Sequence, residues 1–450
     1  MQANITPLVT LADGTVKQVN PFSGTQVWTV PGRGNRPLAI AHPDPQPLTE
    51  SDFTSRDAFG SANALQTPPE KSRVIKDNSA PGGFRTIPGA LPGEFNDTVA
   101  EFRRVPNLFE ILTYDYWHDN YDFAPDAETQ ARMDAYLADP AGREHVLAVV
   151  RTRLRAAGRS EAEIAALSEA ELLDRAVAYF AGGHDVIIAR RHYIDGATLD
   201  NQLASSGTLS VEEHRALIHF TVESIVDLYR RNRFVRYVVA FQNWLRPAGA
   251  SFEHLHKQLV AIDERGEQLD GEVSLLRENP NAYNEYAVDY AARHNLLVAE
   301  NEHAVAFAGF GHRYPTLEIF SKSATCEPWL QTREEIDAMS DLIHACHAAA
   351  GPDIPCNEEW HHRPIDLDAT MPWRVMIKWR TSNLAGFEGG TKIYLNTISP
   401  WDLRDRVVPR LEELSQQGHI APGLAIGPQC MHRPNSLKYN QLISDDNRLG

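Results

Sequence analysis

The stretch that most constrains the fold runs from residue 185 to residue 258. It begins with a predicted strand that ends in a histidine, 185–192, followed by a segment of helical periodicity that starts at Ser210-x-x-Glu213 and extends to about Arg231. An apolar segment, 234–243, and a polar turn then lead to Ser251-Phe252-Glu253-His254-Leu255-His256-Lys257-Gln258. Strand, long helix, strand, turn, strand is the order of a helix packed across an antiparallel sheet. We therefore predict an α+β fold.

The last of these segments contains the motif His-x-His-x-Gln. Side chains of a strand alternate between its two faces, so His254, His256 and Gln258 are expected on one face, and Leu255 and Lys257 on the other. This set suits phosphoryl chemistry, because a neutral imidazole can attack phosphorus while its neighbours donate hydrogen bonds to phosphate oxygens. A histidine pair that is simply buried has the same signature, so the rest of the chain must decide between the two.

The same order of elements recurs in the second half of the chain. Two short strands are predicted in 296–307, another in 317–321, a helix from Thr332-x-x-Glu335 to about residue 350, and a strand in 373–379. We interpret this as a duplicated α+β unit, with halves 1–265 and 266–450. The Ala/Glu/Arg-rich segment of about 126–180 is interpreted as a helical insertion with a structural role. Residues 41–95 are predicted to be a long loop, ordered or partly disordered.

Composition excludes several classes of protein. The chain has 450 residues and a net charge of -17, so nucleic acid and anionic membranes are not expected partners. A small phosphorylated ligand stays possible, because a few arginines can bind it locally. The four cysteines lack a CxxC pair, which disfavours a disulfide scaffold or a cysteine-rich zinc site. No apolar run reaches roughly 18 residues and no leader is recognisable, so a cytoplasmic protein is expected.

Short motifs spread along the chain resemble those of galactose-1-phosphate uridylyltransferase and its relatives in the histidine triad superfamily. The resemblance covers most of the chain apart from 126–180 and the tail. In chain order, the matching motifs are Asn20-Pro21, Trp28, Arg33-Gly34-Asn35-Arg36-Pro37, Thr67-Pro68-Pro69-Glu70, Val105-Pro106-Asn107-Leu108-Phe109, the strand ending in His192, Phe241-Gln242-Asn243, Ser251 to Gln258, Glu300-Asn301-Glu302-His303 and Trp360-His361. It implies a duplicated histidine-triad-like unit.

The resemblance also implies a reaction. His256 would attack the α-phosphorus of a nucleotide-sugar, expel sugar-1-phosphate and carry the nucleotidyl group, UMP above all, until an acceptor phosphate takes it. Gln258 and Ser251 would hydrogen-bond the α-phosphate, and His254 would orient His256. No cofactor is required for this chemistry, and the family suggests a homodimer.

Further residues would bind the substrate. By the same resemblance Asn243 would orient the phosphates, Asn107 would lie beside the nucleoside, and Arg33 and Arg36 would lie near the acceptor or leaving phosphate. Two arginines three residues apart on a loop can also hold a phosphate on chemical grounds alone. Lys378 would put a fixed positive charge near the second metal position of the family, contact a phosphate, or face solvent.

The chain departs from the family at both of its metal sites. Asp57 and Gly60 stand where the family has two cysteines that share a structural zinc with the positions of His192 and His254. Asp57, His192 and His254 would then form a three-ligand zinc site, or hydrogen bonds would replace the metal. For the second site His361 matches and Glu272 is a candidate, but the family's His-x-His is missing from 375–378. We therefore expect no metal at the second site.

The sequence leaves alternatives to a hexose-1-phosphate uridylyltransferase-like enzyme. One is a phosphorylase of the same superfamily, acting on a nucleotide-sugar or a dinucleotide, in which inorganic phosphate is the acceptor. Another, of a different class, is a non-catalytic nucleotide-binding protein, since metal ligands of the family are lost. A histidine hydrolase is a further option, although it would leave the long second half without a role.

Overall fold

A computed structural model describes residues 6–32, 38–54, 57–380 and 385–440. The predicted phosphate contacts Arg33 and Arg36 lie outside these described residues. Among the helices of the described ranges, none is long and apolar enough to cross a membrane.

The described strands form two sheets. The order is β1-β2-β3-β15 in the small sheet and β16-β10-β11-β12-β14-β13-β8-β9-β7-β6-β4-β5 in the large one. The strands are β1 (Leu8–Thr10), β2 (Val16–Val19), β3 (Gln26–Thr29), β4 (Ser72–Lys76), β5 (Phe84–Pro88), β6 (Ala100–Pro106), β7 (His184–Ala189), β8 (Tyr237–Trp244), β9 (His256–Ile262), β10 (Leu297–Glu300), β11 (Ala304–Ala308), β12 (Thr316–Ser321), β13 (Cys356–His361), β14 (Arg374–Trp379), β15 (Ile393–Leu395) and β16 (Ala425–Ile426).

The helices lie between and across these strands. They are α1 (Glu50–Phe53), α2 (Tyr114–Tyr121), α3 (Ala127–Ala138), α4 (Pro140–Ala156), α5 (Glu161–Ala165), α6 (Glu169–Asp174), α7 (Ala178–Ala181), α8 (Val211–Arg231), α9 (Glu267–Glu278), α10 (Asp289–Arg293), α11 (Arg333–Ala350), α12 (Gly386–Thr391) and α13 (Pro400–Gln416). Helices α3 to α7 form the predicted insertion, which buries a small core of its own.

The large sheet contains the same unit twice. In the first half β6-β7-α8-β8-β9 gives the strand order β6-β7-β9-β8, and in the second half β11-β12-α11-β13-β14 gives β11-β12-β14-β13. The two units meet where β8 pairs with β13, with Asn243 opposite Asn357. The predicted fold class, a duplicated α+β unit with helices packed across antiparallel sheets, is confirmed. Because β8 and β13 are hydrogen-bonded, one sheet continues through both halves.

The long helices α8 and α11 cover one face of this sheet. Both begin at the predicted capping boxes, in which Ser210 and Thr332 accept hydrogen bonds from the backbone of Glu213 and Glu335. Their apolar stripes belong to one continuous core that includes Ile225 and Ile343. Burying an aliphatic side chain of this size contributes roughly 1.5–3 kcal/mol. The candidate site described below lies on the opposite face of the sheet.

Two local predictions were wrong. The segment 41–95 is not a loop throughout, because β4 and β5 form a hairpin at the edge of the large sheet. Its strand pattern is hidden, since β5 is mostly exposed and β4 buries a charged side chain, Arg73 in an ion pair with Glu70, beside the apolar Val74. The strand of the histidine motif also begins later than expected, at His256, and the residues before it form a bend.

Candidate active site

His256 is the first residue of β9, which lies between β7 and β8 in the large sheet. The side chain is buried, and its Nδ1–H donates a hydrogen bond to the carbonyl oxygen of His254 at 2.7 Å. Burial lowers the pKa of His256, so the ring is neutral near pH 7. Nε2 has no hydrogen-bond partner within the described ranges and keeps its lone pair, which is the state that a nucleophilic imidazole requires.

Gln258 follows on the same face of β9 and belongs to a network of polar side chains. Its Oε1 lies 3.1 Å from Nε2 of His184 and 3.5 Å from Nδ2 of Asn107. The Oδ1 atom of Asn107 accepts a hydrogen bond from the backbone N–H of Phe109 at 2.9 Å. The structure thus brings the predicted nucleoside contact Asn107 next to the predicted phosphate contact Gln258, and adds His184 between them.

Asn243 lies on the same face one strand further, at the end of β8. Its Oδ1 accepts a hydrogen bond from Nδ2 of Asn357 at 2.7 Å, and Oδ1 of Asn357 accepts one from Arg380 at 2.6 Å. These contacts leave the amide N–H groups of Asn243 free to donate, since no partner for them lies in the described part of the chain. A residue of the second half therefore orients a predicted phosphate contact of the first half.

A cavity of about 600 Å³ opens beside these residues. Phe241 lines it and lies opposite Gln258 in the strand register, so the cavity and Gln258 share one face of the sheet. The polar groups of its wall include Asn243, Arg265 and Arg380. The cavity can hold a polar molecule of the size of a sugar phosphate next to the motif.

His254 fixes the bend before β9. Its Nε2–H donates to the carbonyl oxygen of Ala189 at 2.6 Å, and its Nδ1 lies 2.9 and 3.1 Å from the two carboxylate oxygens of Asp57. Burial would raise the pKa of Asp57, but the adjacent imidazoles of His192 and His254 outweigh it and hold the pKa well below its usual value. His254 thus connects the motif to the end of β7 and to the loop of Asp57. These contacts position the carbonyl of His254, which accepts the hydrogen bond from His256.

Asp57, His192 and His254 also have the arrangement of metal ligands. One ligand atom of each lies within 4.8 Å of the others. Nδ1 of His192 is buried 3.3 Å from Asp57 Oδ1 and has no hydrogen bond to any described residue. A ligand imidazole typically donates its other N–H to a carbonyl, as His254 does. These three groups fit a zinc ion. A Cβ at Gly60 would lie 2.6 Å from the Asp57 carboxylate, so with Asp57 in place this position cannot supply a side-chain ligand.

The corresponding region of the second half contains an ion pair. Arg374 binds the Glu272 carboxylate through Nη2 at 2.6 and 2.7 Å and donates to the Tyr283 hydroxyl at 3.1 Å. His361 lies opposite Arg374 in the register of β13 and β14. Arg374 thus supplies the fixed positive charge that is one of the three alternatives predicted for Lys378, and the Lys378 ammonium lies 2.5 Å from Glu359.

Lys257 and Ser251 complete the motif. Lys257 points to the helix-covered face, where it forms a fully buried ion pair with Glu358 of β13. Glu358 also accepts hydrogen bonds from His347 at 2.8 Å and Trp360 at 2.6 Å. Ser251 lies exposed in the bend and has no hydrogen bond to a described residue, so the structure does not bring it to His256 as it does Gln258.

Sequence reasoning missed three residues of this region: His184, Asn357 and Glu358. His184 and Gln258 lie on neighbouring strands, and Asn357 and Glu358 lie on β13, across from β8. The alternation of β7 would have placed His184 on the face of Val186, but only the strand register shows what it faces.

The fold and the residues of this face define a class. The duplicated histidine-triad-like unit is the fold of galactose-1-phosphate uridylyltransferase-like proteins. The chain belongs to the family described as Domain of unknown function (DUF4921), which matches residues 11–439.

Individual relatives agree with this assignment. An ADP-glucose phosphorylase of Arabidopsis thaliana is 25% identical over 182 residues, 38% of this chain and 50% of the relative, so the match spans half the length of that protein. The crystal structure of an Arabidopsis thaliana ADP-glucose phosphorylase with bound ADP-glucose superimposes with a TM-score of 0.55 at 16% identity, covering 87% of this chain and 97% of that one. A galt-like protein of the same plant gives a TM-score of 0.54 with the same identity and coverage. The two structures establish the likeness of fold.

Proposed function

We propose that the protein is a nucleotidyltransferase that takes a nucleoside monophosphate from a nucleotide-sugar onto His256 and passes it to an acceptor phosphate. The observation that carries this proposal is the state of the His256 ring. Nδ1 donates to the His254 carbonyl, and Nε2 has no hydrogen bond to any described residue and lies on the face that also presents Gln258, Asn243 and the cavity. In His254, by contrast, both ring nitrogens lie within hydrogen-bond distance of an acceptor.

The reaction consists of two displacements at the α-phosphorus. The Nε2 lone pair forms an N–P bond, the bond from phosphorus to the bridging oxygen breaks, and sugar-1-phosphate leaves with that electron pair. An oxygen of the acceptor phosphate then attacks phosphorus, and the N–P electrons return to Nε2. The His254 carbonyl accepts the Nδ1–H throughout and stabilises the positive charge of the substituted ring. Free amide N–H groups of Gln258 and Asn243 can donate to the phosphate oxygens.

Two acceptors are compatible with the site. With a sugar-1-phosphate as acceptor and UMP as the transferred group, the protein is a hexose-1-phosphate uridylyltransferase, and the cavity beside Asn243 receives the sugar. With inorganic phosphate it is a phosphorylase that releases a nucleoside diphosphate. The match to an ADP-glucose phosphorylase supports this second candidate and, with it, an adenine nucleotide as donor.

The experiment uses UDP-glucose and ADP-glucose labelled at the α-phosphate. Incubation without an acceptor should give protein-bound label that is labile to acid and stable to base, as expected of a phosphoramidate. Chasing the labelled protein with glucose-1-phosphate, galactose-1-phosphate or inorganic phosphate and analysing the products then separates a transferase from a phosphorylase. A folded protein that binds the nucleotide-sugar but never acquires label would make it a non-catalytic nucleotide-binding protein instead.

We further propose that Asp57, His192 and His254 hold a structural zinc ion. When bound, zinc would make the bend before β9 more rigid. It would take no part in the transfer itself, because the attacking group is the Nε2 lone pair of His256. We expect purified protein to contain up to one zinc per chain by mass spectrometry. Removing it with a chelator should lower the unfolding temperature, and Asp57→Ala should lose the metal.

A metal-free protein whose unfolding temperature is unchanged by added zinc would contradict this and leave the Asp57–His254 pair as the replacement for the metal. His419→Ala, a change at an exposed histidine after α13, serves as the matched control and should retain full zinc content. The expected homodimer and the cytoplasmic location stay predictions.

A further inference from the structure

We propose that His184 is a positioning residue that holds the Gln258 amide with its N–H groups directed to the phosphate at His256. The inference rests on the proposed nucleotidyl transfer and adds a residue to it. His184 is the first residue of β7, it is 2% exposed, and its ring lies between the loop after β6 and the motif strand β9. It hydrogen-bonds Gln258, and no hydrogen bond links it to His256, so its effect on the reaction passes through Gln258.

The backbone sets the protonation of the His184 ring. The N–H of Ile111 donates to Nδ1 at 3.1 Å. Nδ1 is therefore an acceptor, and in the neutral imidazole the proton must reside on Nε2. Burial lowers the pKa of His184, which keeps the ring neutral at physiological pH. The result is a single N–H donor on Nε2 whose direction is fixed by the main chain.

That donor faces the oxygen of the Gln258 amide at 3.1 Å. An amide presents its oxygen at one side and its NH₂ group at the other. Once Oε1 is held by His184, the NH₂ group is the end that remains available, and no described residue accepts a hydrogen bond from it. Without the His184 donor the amide could turn by half a rotation and present its oxygen, which would repel a phosphate.

The contact with Asn107 favours the other tautomer of His184, which carries its proton on Nδ1. The Nδ2 atom of Asn107 lies 3.0 Å from His184 Nε2 and could donate a hydrogen bond to that nitrogen only if it had no proton. That tautomer would set an N–H of Nδ1 against the N–H of Ile111, which belongs to the backbone and cannot turn away. It would also require the Gln258 amide to rotate. Asn107 has a second acceptor in Gln258 Oε1 at 3.5 Å. The arrangement with the proton on Nε2 therefore satisfies more of the groups.

The experiment compares His184→Leu with His184→Gln by the single-turnover rate of labelling from the α-labelled nucleotide-sugar. Leucine removes the donor, and we expect the rate to fall about 10- to 100-fold at saturating substrate, somewhat less than the loss of a transition-state donor itself. Glutamine places an amide N–H near the position of Nε2, and we expect its rate to lie within about fivefold of the unsubstituted protein, the cost of imperfect hydrogen-bond geometry. Urea unfolding of each variant reports whether the fold is retained.

A double substitution distinguishes positioning from a general structural role. In the Gln258→Ala background there is no amide to orient, so adding His184→Leu should change the labelling rate by less than about twofold. A structural defect would instead lower the labelling rate by the same factor in both backgrounds. That result, or a labelling rate of His184→Leu equal to that of the unsubstituted protein, would overturn the inference about His184. Neither result would affect the proposed function, provided that the unsubstituted protein is labelled. Absence of label from the unsubstituted protein would overturn the proposed function, and the role of His184 with it.

Discussion

Replacing His256 by alanine should abolish covalent labelling and lower the rate of nucleotidyl transfer by about 10⁴-fold or more, the scale seen when a catalytic nucleophile is removed. Alanine has no lone pair with which to attack phosphorus, and no other described side chain on this face puts a nitrogen lone pair where Nε2 of His256 lies. The fold should survive, since the only hydrogen bond of the ring to a described residue is to the carbonyl of His254 in its own motif. Labelling from the α-labelled nucleotide-sugar and urea unfolding measure the two expectations.

The matched control is His419→Ala, which removes an exposed histidine far along the chain and should leave labelling unchanged. Undiminished label in His256→Ala would mean that another residue is the nucleophile and would refute the mechanism.

The pH dependence gives independent evidence on the same residue. Protonated imidazole has no lone pair at Nε2, and burial lowers the pKa of His256 from its ordinary value of 6.5. The labelling rate should therefore decrease as the pH falls, with a midpoint below pH 6.5. A decrease centred above pH 6.5 would contradict a buried neutral ring as the nucleophile.

Replacing Glu358 by glutamine should destabilise the protein by about 3–5 kcal/mol, because it leaves the Lys257 ammonium buried without its counter-charge. Both side chains are almost completely buried, at 1% and 0% exposure. Burial would raise the pKa of Glu358, but Lys257 and His347 outweigh it and hold the pKa well below its usual value. Glutamine keeps the size of the side chain and an acceptor for Trp360, but it replaces the oxygen that accepts from His347, so the expected cost includes that hydrogen bond. Urea unfolding measures the change.

The paired change Lys257→Met with Glu358→Gln is the matching control. It removes both charges, and it should recover most of the lost stability, since replacing a buried ion pair by neutral groups is often close to neutral. If Glu358→Gln lowers the free energy of unfolding by less than about 1 kcal/mol, which is the range of exposed ion pairs, the Lys257–Glu358 pair does not stabilise the joined halves. The same variants report on function, because Lys257 adjoins His256 in β9.

Local patterns in the sequence predicted the helices and many strands well. The capping boxes at Ser210 and Thr332 marked the starts of α8 and α11, and the repeated order of elements indicated the duplication, because capping and periodicity act within a few residues. The resemblance to a known family selected Asn107, Asn243, His256 and Gln258 as candidates. It also grouped Asp57 with His192 and His254, which the structure brings within 4.8 Å of one another.

Only the tertiary structure decided what depends on contacts between distant segments. The pairing of β8 with β13 that makes one sheet of two units and the ion pair of Arg374 with Glu272 both join residues far apart in the chain. The Lys257–Glu358 pair spans 101 residues and the His184–Gln258 contact spans 74. The sequence by itself determined which side chains could perform phosphoryl chemistry and on which kind of unit they lie. The strand register, which no local pattern encodes, decided that Nε2 of His256 has no hydrogen bond to a described residue and that His184 holds the amide of Gln258.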